Sequence, residues 1–219
     1  MSLKADEVVH LLSRGKYIAI SPYIWVNSIL ISEVALNLLN RYEVINLIDL
    51  VGFRYEVLER VAARRGMLKE LSRIIIGQRI QPSVIFELDE KPSLLRNKPI
   101  FATASKWLKA FKDYGYRKVS VRRASSLPIF SVEGEDFRAL VRITPQGLED
   151  VKISPQMQRI LYIIEESLEI YGPFKFRDAI IIISKELGIS KEESRTLLKQ
   201  LIKQGLIKIV KGGYLECMR

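Results

Sequence analysis

The sequence predicts an α/β domain followed by a small, mainly helical domain, because its hydrophobic pattern changes character near residue 150. Before that point, short apolar runs alternate with stretches in which apolar residues recur every three or four positions. This alternation predicts crossover connections and a mostly parallel sheet with flanking helices. After that point, helical spacing continues until two short closing strands. A chain of 219 residues accommodates two domains, which we place at residues 1–150 and 151–219.

Short apolar runs predict the strands of the first domain. The runs that fit a parallel sheet are 17–20, 44–49, 74–76, 84–88 and 100–103. Helices are predicted between them at 27–40, 55–65 and 105–114. Gly66 and Gly115 directly follow the last two helices, as expected of C-terminal helix caps. Three later runs predict antiparallel strands at one edge of the sheet: 118–121, 129–132 and 137–143.

The second domain contains signals for three helices and a hairpin. Ser154-Pro155 forms an N-cap followed by proline at the first helical position, and this helix extends to Tyr171. A second helix is predicted at 177–187, and Ser190 with Glu193 forms a capping box that opens a third. Lys211-Gly-Gly213 separates two short strands. Three helices followed by a hairpin predict a winged helix-turn-helix.

Composition favours a polyanionic partner. Lys plus Arg number 35 against 25 Asp plus Glu, which gives a formal charge of +10 and a pI near 9.7. Such an excess favours nucleic acid before a membrane surface. The only cysteine is Cys217 and the only histidine is His10, so an internal disulfide and a His/Cys zinc site are both excluded. With no long apolar run and no secretory pattern, we expect a cytoplasmic protein without a membrane partner.

The third helix of the second domain is the first candidate for DNA contact, since the second helix of a helix-turn-helix motif enters the major groove. With the leucine and isoleucine stripe inward, the outward residues are Lys191, Arg195, Lys199, Gln200 and Lys203. Arg195 suits guanine, and the lysines suit phosphates. Lys208 and Lys211 on the wing reach the adjacent backbone. Glu192 and Glu193 argue against DNA contact, because they would face phosphate if the helix entered the groove amino end first. Winged helices also bind proteins, so protein docking is the alternative.

A second basic run lies in the first domain. Its cations are Lys106, Lys109, Lys112, Arg117, Lys118, Arg122 and Arg123. Asp113 is the single acidic residue among them. The first three lysines are spaced for one helical face, and Tyr114 and Tyr116 offer bases a stacking surface if they are exposed. The alternative is a solvated face on a basic protein.

The loop after the first strand carries a family resemblance. Phosphate-binding α/β domains place a glycine-rich loop there, and Ser21-Pro-Tyr-Ile-Trp-Val-Asn-Ser28 occupies that position. At this point the chain resembles the RecA/RadA recombinases, above all their archaeal paralogues, whose loop reads G-x-x-x-x-G-K-[ST]. Ser21, Val26 and Asn27 replace the glycines and the lysine, and only Ser28 is kept. The resemblance implies a RecA-like fold without ATP hydrolysis or a bound cofactor.

Further segments support the resemblance over residues 14–150. Ile48–Glu56 is similar to the family's D-T-E-G-T-F-R-P-E block, with Val51 in place of its catalytic glutamate. Val84–Asp89 stands where an apolar strand ends in a magnesium-site aspartate, and 144–150 is similar to the closing I-T-x-x-G-I-x-D element. Asp49 and Asp89 either pair at a metal or bond to loop amides. The second interpretation is favoured, so no metal site is expected.

Together these features lead us to expect a non-catalytic DNA-binding accessory protein of archaeal recombination, repair or replication. A composition rich in Ile, Lys, Arg and Glu fits a hyperthermophile. One alternative is a transcription regulator whose first domain forms a homodimer or senses a ligand. Another is a subunit that docks onto a recombinase or its paralogue. A third is an enzyme that binds nucleotide through a remodelled 21–28 loop.

Overall fold

In a computed structural model of the protein, residues 3–77, 81–124 and 127–217 are described. The chain divides into two compact units. The larger unit holds the chain up to Arg122 together with Phe130–Asp150, and the smaller unit holds the chain from Val151 onward together with Arg123–Ile129. Among the helices of the described ranges, none is long and apolar enough to cross a membrane.

The larger unit is built on a sheet that has nine strands within the described residues. The strands are β1 (Tyr17–Ile20), β2 (Ile45–Asp49), β3 (Ile74–Ile76), β4 (Ser83–Phe86), β5 (Phe101–Ala104), β6 (Arg117–Arg123), β7 (Ile129–Glu133), β8 (Arg138–Thr144) and β9 (Gly147–Asp150). Their order is β3-β2-β4-β5-β1-β6-β7-β8-β9. Strand β1 is parallel to β5 and β6, and β8 is antiparallel to β9. The predicted α/β class with a mostly parallel sheet is confirmed.

Helices cover both faces of this sheet. They are α1 (Ala5–Leu12), α2 (Ile24–Leu38), α3 (Tyr55–Arg65) and α4 (Lys109–Asp113), with 3-10 turns at Leu68–Arg73, Leu88–Glu90 and Pro92–Asn97. Helices α1 to α3 pack on the face that holds Ala19 and Phe101, whereas Phe111 of α4 packs against Ile18 and Ala102 on the other face. Alternate strand residues therefore enter two separate cores.

Three boundaries in the larger unit differ from the sequence prediction. Helix α2 begins at Ile24, three residues before the predicted start. Helix α4 has only five residues, so Lys106 precedes the helix and does not share its face with Lys109. Strand β4 ends at Phe86 because Glu87 adopts a left-handed conformation with φ of 55°. Helix α1 was not anticipated from the sequence.

The smaller unit contains three helices and a hairpin. The elements are α5 (Pro155–Tyr171), α6 (Phe176–Leu187), α7 (Lys191–Lys203), β10 (Ile207–Ile209) and β11 (Leu215–Cys217). Both predicted N-caps are present, since Ser154 Oγ accepts from the Met157 amide and Ser190 Oγ from the Glu193 amide. The predicted capping box is only half formed, because the structure gives Ser190 this bond without the return bond to the Glu193 carboxylate. An isolated antiparallel bridge joins Lys175 to Tyr214 beside the hairpin. The predicted helices and hairpin are confirmed to within a few residues.

A buried carboxylate ties several elements of the larger unit together. Glu33 of α2 is fully buried, and its two oxygens accept hydrogen bonds from Arg64 Nη2 and Arg65 Nε of α3, each at 2.5 Å. It also accepts from the backbone amide of Leu148 at 2.8 Å. A Cβ at Gly147 would lie 2.3 Å from Glu33 Oε1, so this position requires glycine. Charge-assisted bonds of this kind compensate for removing Glu33 from water.

We expect Glu33→Gln to destabilise the larger unit by about 3 kcal/mol, because the arginines would lose their buried counter-ion. Because Arg64 and Arg65 are partly exposed, we expect this loss of stability to lie at the lower end of the range for broken buried ion pairs. Urea unfolding followed by tryptophan fluorescence measures this unit, since both tryptophans, Trp25 and Trp107, lie in it.

The control is Asp6→Asn, which removes the exposed partner of Arg65 and should cost less than about 1 kcal/mol. Equal losses in the two variants would contradict a central role for Glu33.

Candidate nucleic-acid interface and remodelled phosphate loop

Helix α7 presents a row of cations to solvent. Lys191, Arg195, Lys199 and Lys203 are all exposed, whereas Leu198 and Leu201 are buried on the opposite side. Each cation stands four residues after the previous one, so neighbours in the row share one helical face. The row is about 18 Å long at 1.5 Å per residue. We refer to these four residues as the α7 row.

The four cations of the α7 row repel one another. Within the described part of the chain, no ion pair neutralises any of its four cations. Like charges at i, i+4 destabilise a helix by about 0.2–0.5 kcal/mol per pair, and the row contains three such pairs in succession. Gln200 is exposed beside the row, and Glu192 and Glu193 occupy the first turn, where acidic residues suit the helix dipole.

The hairpin adds little free charge. Lys208 and Lys211 are both exposed, but Lys208 lies directly opposite Glu216 across the strand pair. An opposite charge at that position partly neutralises Lys208. Gly212 and Gly213 form the turn with φ of 88° and 82°, values that side chains other than glycine rarely adopt. Lys211 is therefore the hairpin cation better placed for an external anion.

The basic run of the larger unit does not form one patch. Lys106 follows β5 at the carboxyl edge of the sheet, and Lys109 and Lys112 are exposed on the short helix α4. Strand β6 carries the chain from Arg117 at the amino edge to Arg122 at the carboxyl edge, roughly 17 Å at about 3.3 Å per residue. The predicted run is thus divided between opposite edges of the sheet.

Other members of this run are already engaged. The Arg117 guanidinium lies 4.3 Å from the centre of the Tyr17 ring and 3.5 Å from Asp136. Lys118 is half-buried, and Arg123 is exposed at the last position of β6.

The two tyrosines of the run do not form the predicted stacking surface. Tyr116 is buried, its hydroxyl donates to the Pro99 carbonyl at 2.6 Å, and burial raises its pKa. Tyr114 is half-buried and accepts from Arg96 Nε. The condition for a stacking surface, that the tyrosines are exposed, is not met at Tyr116, because this residue fills the core beneath α4.

Strand β1 lies at the point where ligands usually bind an open α/β sheet. Its neighbours β5 and β6 belong to different connections, with α2 crossing one face and α4 the other. The crevice outside the carboxyl end of such a strand is the expected ligand site. In this chain Ser21 and Asn27 fill that crevice, and both are fully buried.

Asn27 closes the crevice from inside. Its side-chain amide donates to Glu87 Oε1 at 2.7 Å, to the Ser21 carbonyl at 3.1 Å and to the Ala104 carbonyl at 3.3 Å. Thr103 Oγ1 also donates to Glu87 Oε1, at 3.2 Å. The ends of β1, β4 and β5 are thereby joined by one buried polar network. Asn27, which the RecA/RadA resemblance places at the position of the phosphate-loop lysine, thus directs its amino group to protein acceptors.

Sequence reasoning missed Glu87 and Thr103. Glu87 is the first residue after β4 and sits where strand geometry places the end-of-strand carboxylate, a position that we assigned to Asp89. The available signal was that Glu87 is the first charged residue after the run Val84–Phe86. Its left-handed backbone is costly for a residue other than glycine, and the bonds to Asn27 and Thr103 hold it there.

Asp49 and Asp89 serve the backbone of loops. Asp49 Oδ1 accepts from the amides of Val51 and Gly52, and Asp49 Oδ2 accepts from Phe53 at 2.8 Å. Asp89 accepts from the amide of Ser105 at 2.8 Å. The prediction that these aspartates bond to loop amides is confirmed. Within the described ranges, no cluster of three His, Cys, Asp or Glu side chains could hold a metal ion.

The outer surface of the 21–28 loop is apolar. Tyr23, Ile24 and Trp25 are 38%, 57% and 45% exposed. The rings of Tyr23 and Trp25 each contact the Phe130 ring edge-on, with centroids 6.1 and 5.6 Å apart. These side chains stand at the start of α2, where phosphate oxygens would need access to bare backbone amides. An anion that approaches this loop would therefore meet bulky apolar side chains instead of free backbone amides.

Comparisons with known proteins add no family. No protein family matches the chain, and no curated protein matches it. Among solved structures, it is similar to a chain in the structure of Drosophila ORC bound to GC-rich DNA and Cdc6, with 11% sequence identity and a TM-score of 0.26. The similarity covers 95% of this chain and 83% of that chain. With so low a score, we base no statement about fold or function on it.

Glu87 gives the larger unit a distinctive pH dependence. Burial raises its pKa above the ordinary value of 4.5, the hydrogen bond from Asn27 opposes this, and the negative charge of Asp89 adds to the rise. The native state therefore keeps a proton that the unfolded chain releases, so the protonated form contributes stability below pH 4.5. That contribution is lost as pH rises through the folded-state pKa.

We expect Glu87→Gln to remove this decline, so that the variant gains stability relative to wild type as pH rises from about 4.5. Urea midpoints by tryptophan fluorescence across a pH series measure the difference. Glu59→Gln, an exposed carboxyl on α3, is the control and should keep the wild-type profile. Parallel profiles for wild type and Glu87→Gln would show that folding leaves the pKa of Glu87 unchanged.

Proposed function

We propose that this protein is a non-catalytic DNA-binding accessory factor, in which the smaller unit is a winged helix-turn-helix that contacts DNA through α7. The observation that carries this proposal is the α7 row. A helix with four successive like charges loses stability unless a polyanion neutralises them. DNA phosphates supply such a polyanion and release counterions in exchange.

The elements of the smaller unit support the winged-helix assignment. Helices α6 and α7 are joined by a tight turn through Gly188, whose φ is 64°, and Ser190 caps α7. The β10–β11 hairpin follows α7, and the Lys175–Tyr214 bridge adds a third strand position beside it. This is the order of elements in which the last helix reads the major groove. Arg195 suits a guanine edge, and Lys191, Lys199 and Lys203 suit phosphates.

The network around Asn27 supports a non-catalytic role for the larger unit, which we propose to be a degenerate RecA-like scaffold. Phosphoryl transfer needs backbone amides and a cation at the transferred phosphate. Asn27 is neutral and bonded to Glu87, while Ile24 and Trp25 cover the start of α2. A role in recombination, repair or replication follows only from the family resemblance of residues 14–150.

Fluorescence anisotropy on labelled duplex and single-stranded DNA across a salt series tests the DNA proposal. For duplex DNA the log–log salt slope should be about −0.9 per phosphate contact, so Arg195→Gln/Lys199→Gln should make it shallower by nearly 2. The same variant should gain about 0.6–1.5 kcal/mol of stability, because all three repulsive pairs of the row disappear. Binding and stability are thus expected to move in opposite directions.

Two double variants serve as controls with the same loss of charge. Lys152→Gln/Arg159→Gln alters exposed cations of the smaller unit outside α7, and Lys106→Gln/Lys109→Gln alters the larger unit. If Lys106→Gln/Lys109→Gln changes the salt slope most, the DNA interface lies on the larger unit. Absence of binding at about 50 mM salt, where screening is weak, would contradict the DNA proposal.

Nucleotide binding is tested by thermal unfolding. We expect no shift in the unfolding midpoint on adding ATP and Mg²⁺, because the crevice beside β1 is closed by Asn27. A nucleotide present at 100 times its Kd would stabilise the unit by about 2.7 kcal/mol, which is readily detected. Mg²⁺ alone is the control, and Trp25 fluorescence is an independent signal from the loop. A rise specific to ATP would restore the alternative of a nucleotide-binding enzyme.

A further inference from the structure

The smaller unit has a groove between α5 and α6 that is lined by both apolar and polar side chains. Its volume is about 540 Å³, and its apolar lining consists of Ile163, Ile170 and Tyr171 from α5 and Ile182 from α6. Ile163 is buried, whereas Ile170 is 64% and Tyr171 75% exposed. Large apolar side chains exposed together beside a groove are typical of an interaction surface. None of them belongs to α7 or to the hairpin.

The rim of this groove is acidic. Glu166 of α5 and Glu186 of α6 line it together with Lys185, and all three are exposed. In the described part of the chain neither glutamate forms an ion pair. The rim thus has a net negative charge on a protein whose formal charge is +10. This charge disfavours a nucleic acid as the occupant and favours a partner that carries cations.

A second copy of the chain fits the groove poorly. A two-fold contact would bring the same patch from both copies together, so one net acidic rim would face another. Eight residues line the groove, whereas a stable interface engages roughly 20–30 residues on each side. A groove between two helices instead has the dimensions to hold one amphipathic helix, whose anchors recur at i, i+3 or i+4 and i+7.

We propose that the α5–α6 groove docks an amphipathic helix of a different protein, with an apolar face flanked by lysine or arginine. Ile170 and Tyr171 contact the apolar face, and Glu166 and Glu186 pair with the flanking cations. This site is separate from the α7 row and does not depend on DNA binding. It gives the protein a surface for a protein partner alongside its surface for nucleic acid.

Two labelled peptides of about 16 residues test the proposal on the full chain. Both carry leucine at i, i+3, i+4 and i+7 with alanine between, and they differ only in having lysine or glutamate at the flanking positions. We expect the lysine peptide to bind at least about ten times more tightly than the glutamate peptide. Glu166→Gln/Glu186→Gln should reduce this preference, most strongly at low salt.

The groove itself is tested by Ile170→Ser, which should weaken binding of the lysine peptide by about ten-fold or more. The matched control is Tyr162→Ser, since Tyr162 is also 64% exposed on α5 but lies outside the groove lining, eight residues or about 12 Å from Ile170. It should change affinity by less than about two-fold. Unchanged circular dichroism in both variants excludes misfolding as the cause.

The remaining outcomes overturn the proposal. Equal losses in the two serine variants would mean that the peptide adsorbs to exposed apolar residues in general. Equal affinity for the two peptides, or binding of neither, would remove the basic helix as the occupant. If light scattering shows a wild-type dimer that Ile170→Ser dissociates, the groove is a contact between copies. None of these results alters the DNA measurements on α7, so the two proposals fail separately.

Discussion

Helix α2 runs through the interior of the larger unit and carries two polar side chains, Asn27 and Glu33, that must be satisfied out of reach of water. Asn27 is joined to the ends of β4 and β5, and Glu33 to two arginines of α3 and to the start of β9. A buried polar group without partners costs about 1–3 kcal/mol, and more when it is charged. The bonds of the Asn27 amino group and the Glu33 carboxylate hold α2 against the sheet and α3, whereas Asn27 Oδ1 is buried without a hydrogen-bond partner among the described residues.

The same constraint limits what the larger unit can do. A phosphate loop requires open backbone amides and a free cation at the amino end of this helix. Here the side-chain amide of Asn27 has three protein acceptors, and Ile24 and Trp25 at the same end of the helix expose apolar side chains. The crevice beside β1 is occupied by buried side chains of the larger unit itself, among them Ser21 and Asn27. The function proposed above therefore uses exposed surfaces.

Sequence reasoning reached the class of the larger unit and the elements of the smaller one, because strand alternation and helix caps are local signals. Ser154, Ser190 and Gly66 mark helix ends through bonds within a few residues. It did not anticipate that Glu87 and Tyr116 are buried, because the residues around them come from distant segments of the chain. Glu87 meets Asn27, which lies 60 residues away in the chain, and Tyr116 fills a core shared with other strands. When residues distant in the sequence bury a polar side chain, the hydrophobic periodicity around that side chain does not indicate it.

The smaller unit separates charge by element, and this allows two kinds of partner. Helix α7 carries a self-repelling row of cations, while the groove between α5 and α6 has an acidic rim around exposed apolar side chains. At physiological salt, exposed charges are screened beyond a Debye length of about 8–10 Å. The charges of each surface therefore act mainly on a partner in direct contact with it. Under the two proposals, DNA would relieve the repulsion on α7 and a basic helix would neutralise Glu166 and Glu186. The two surfaces consist of different residues, so one smaller unit would have room for both proposed partners.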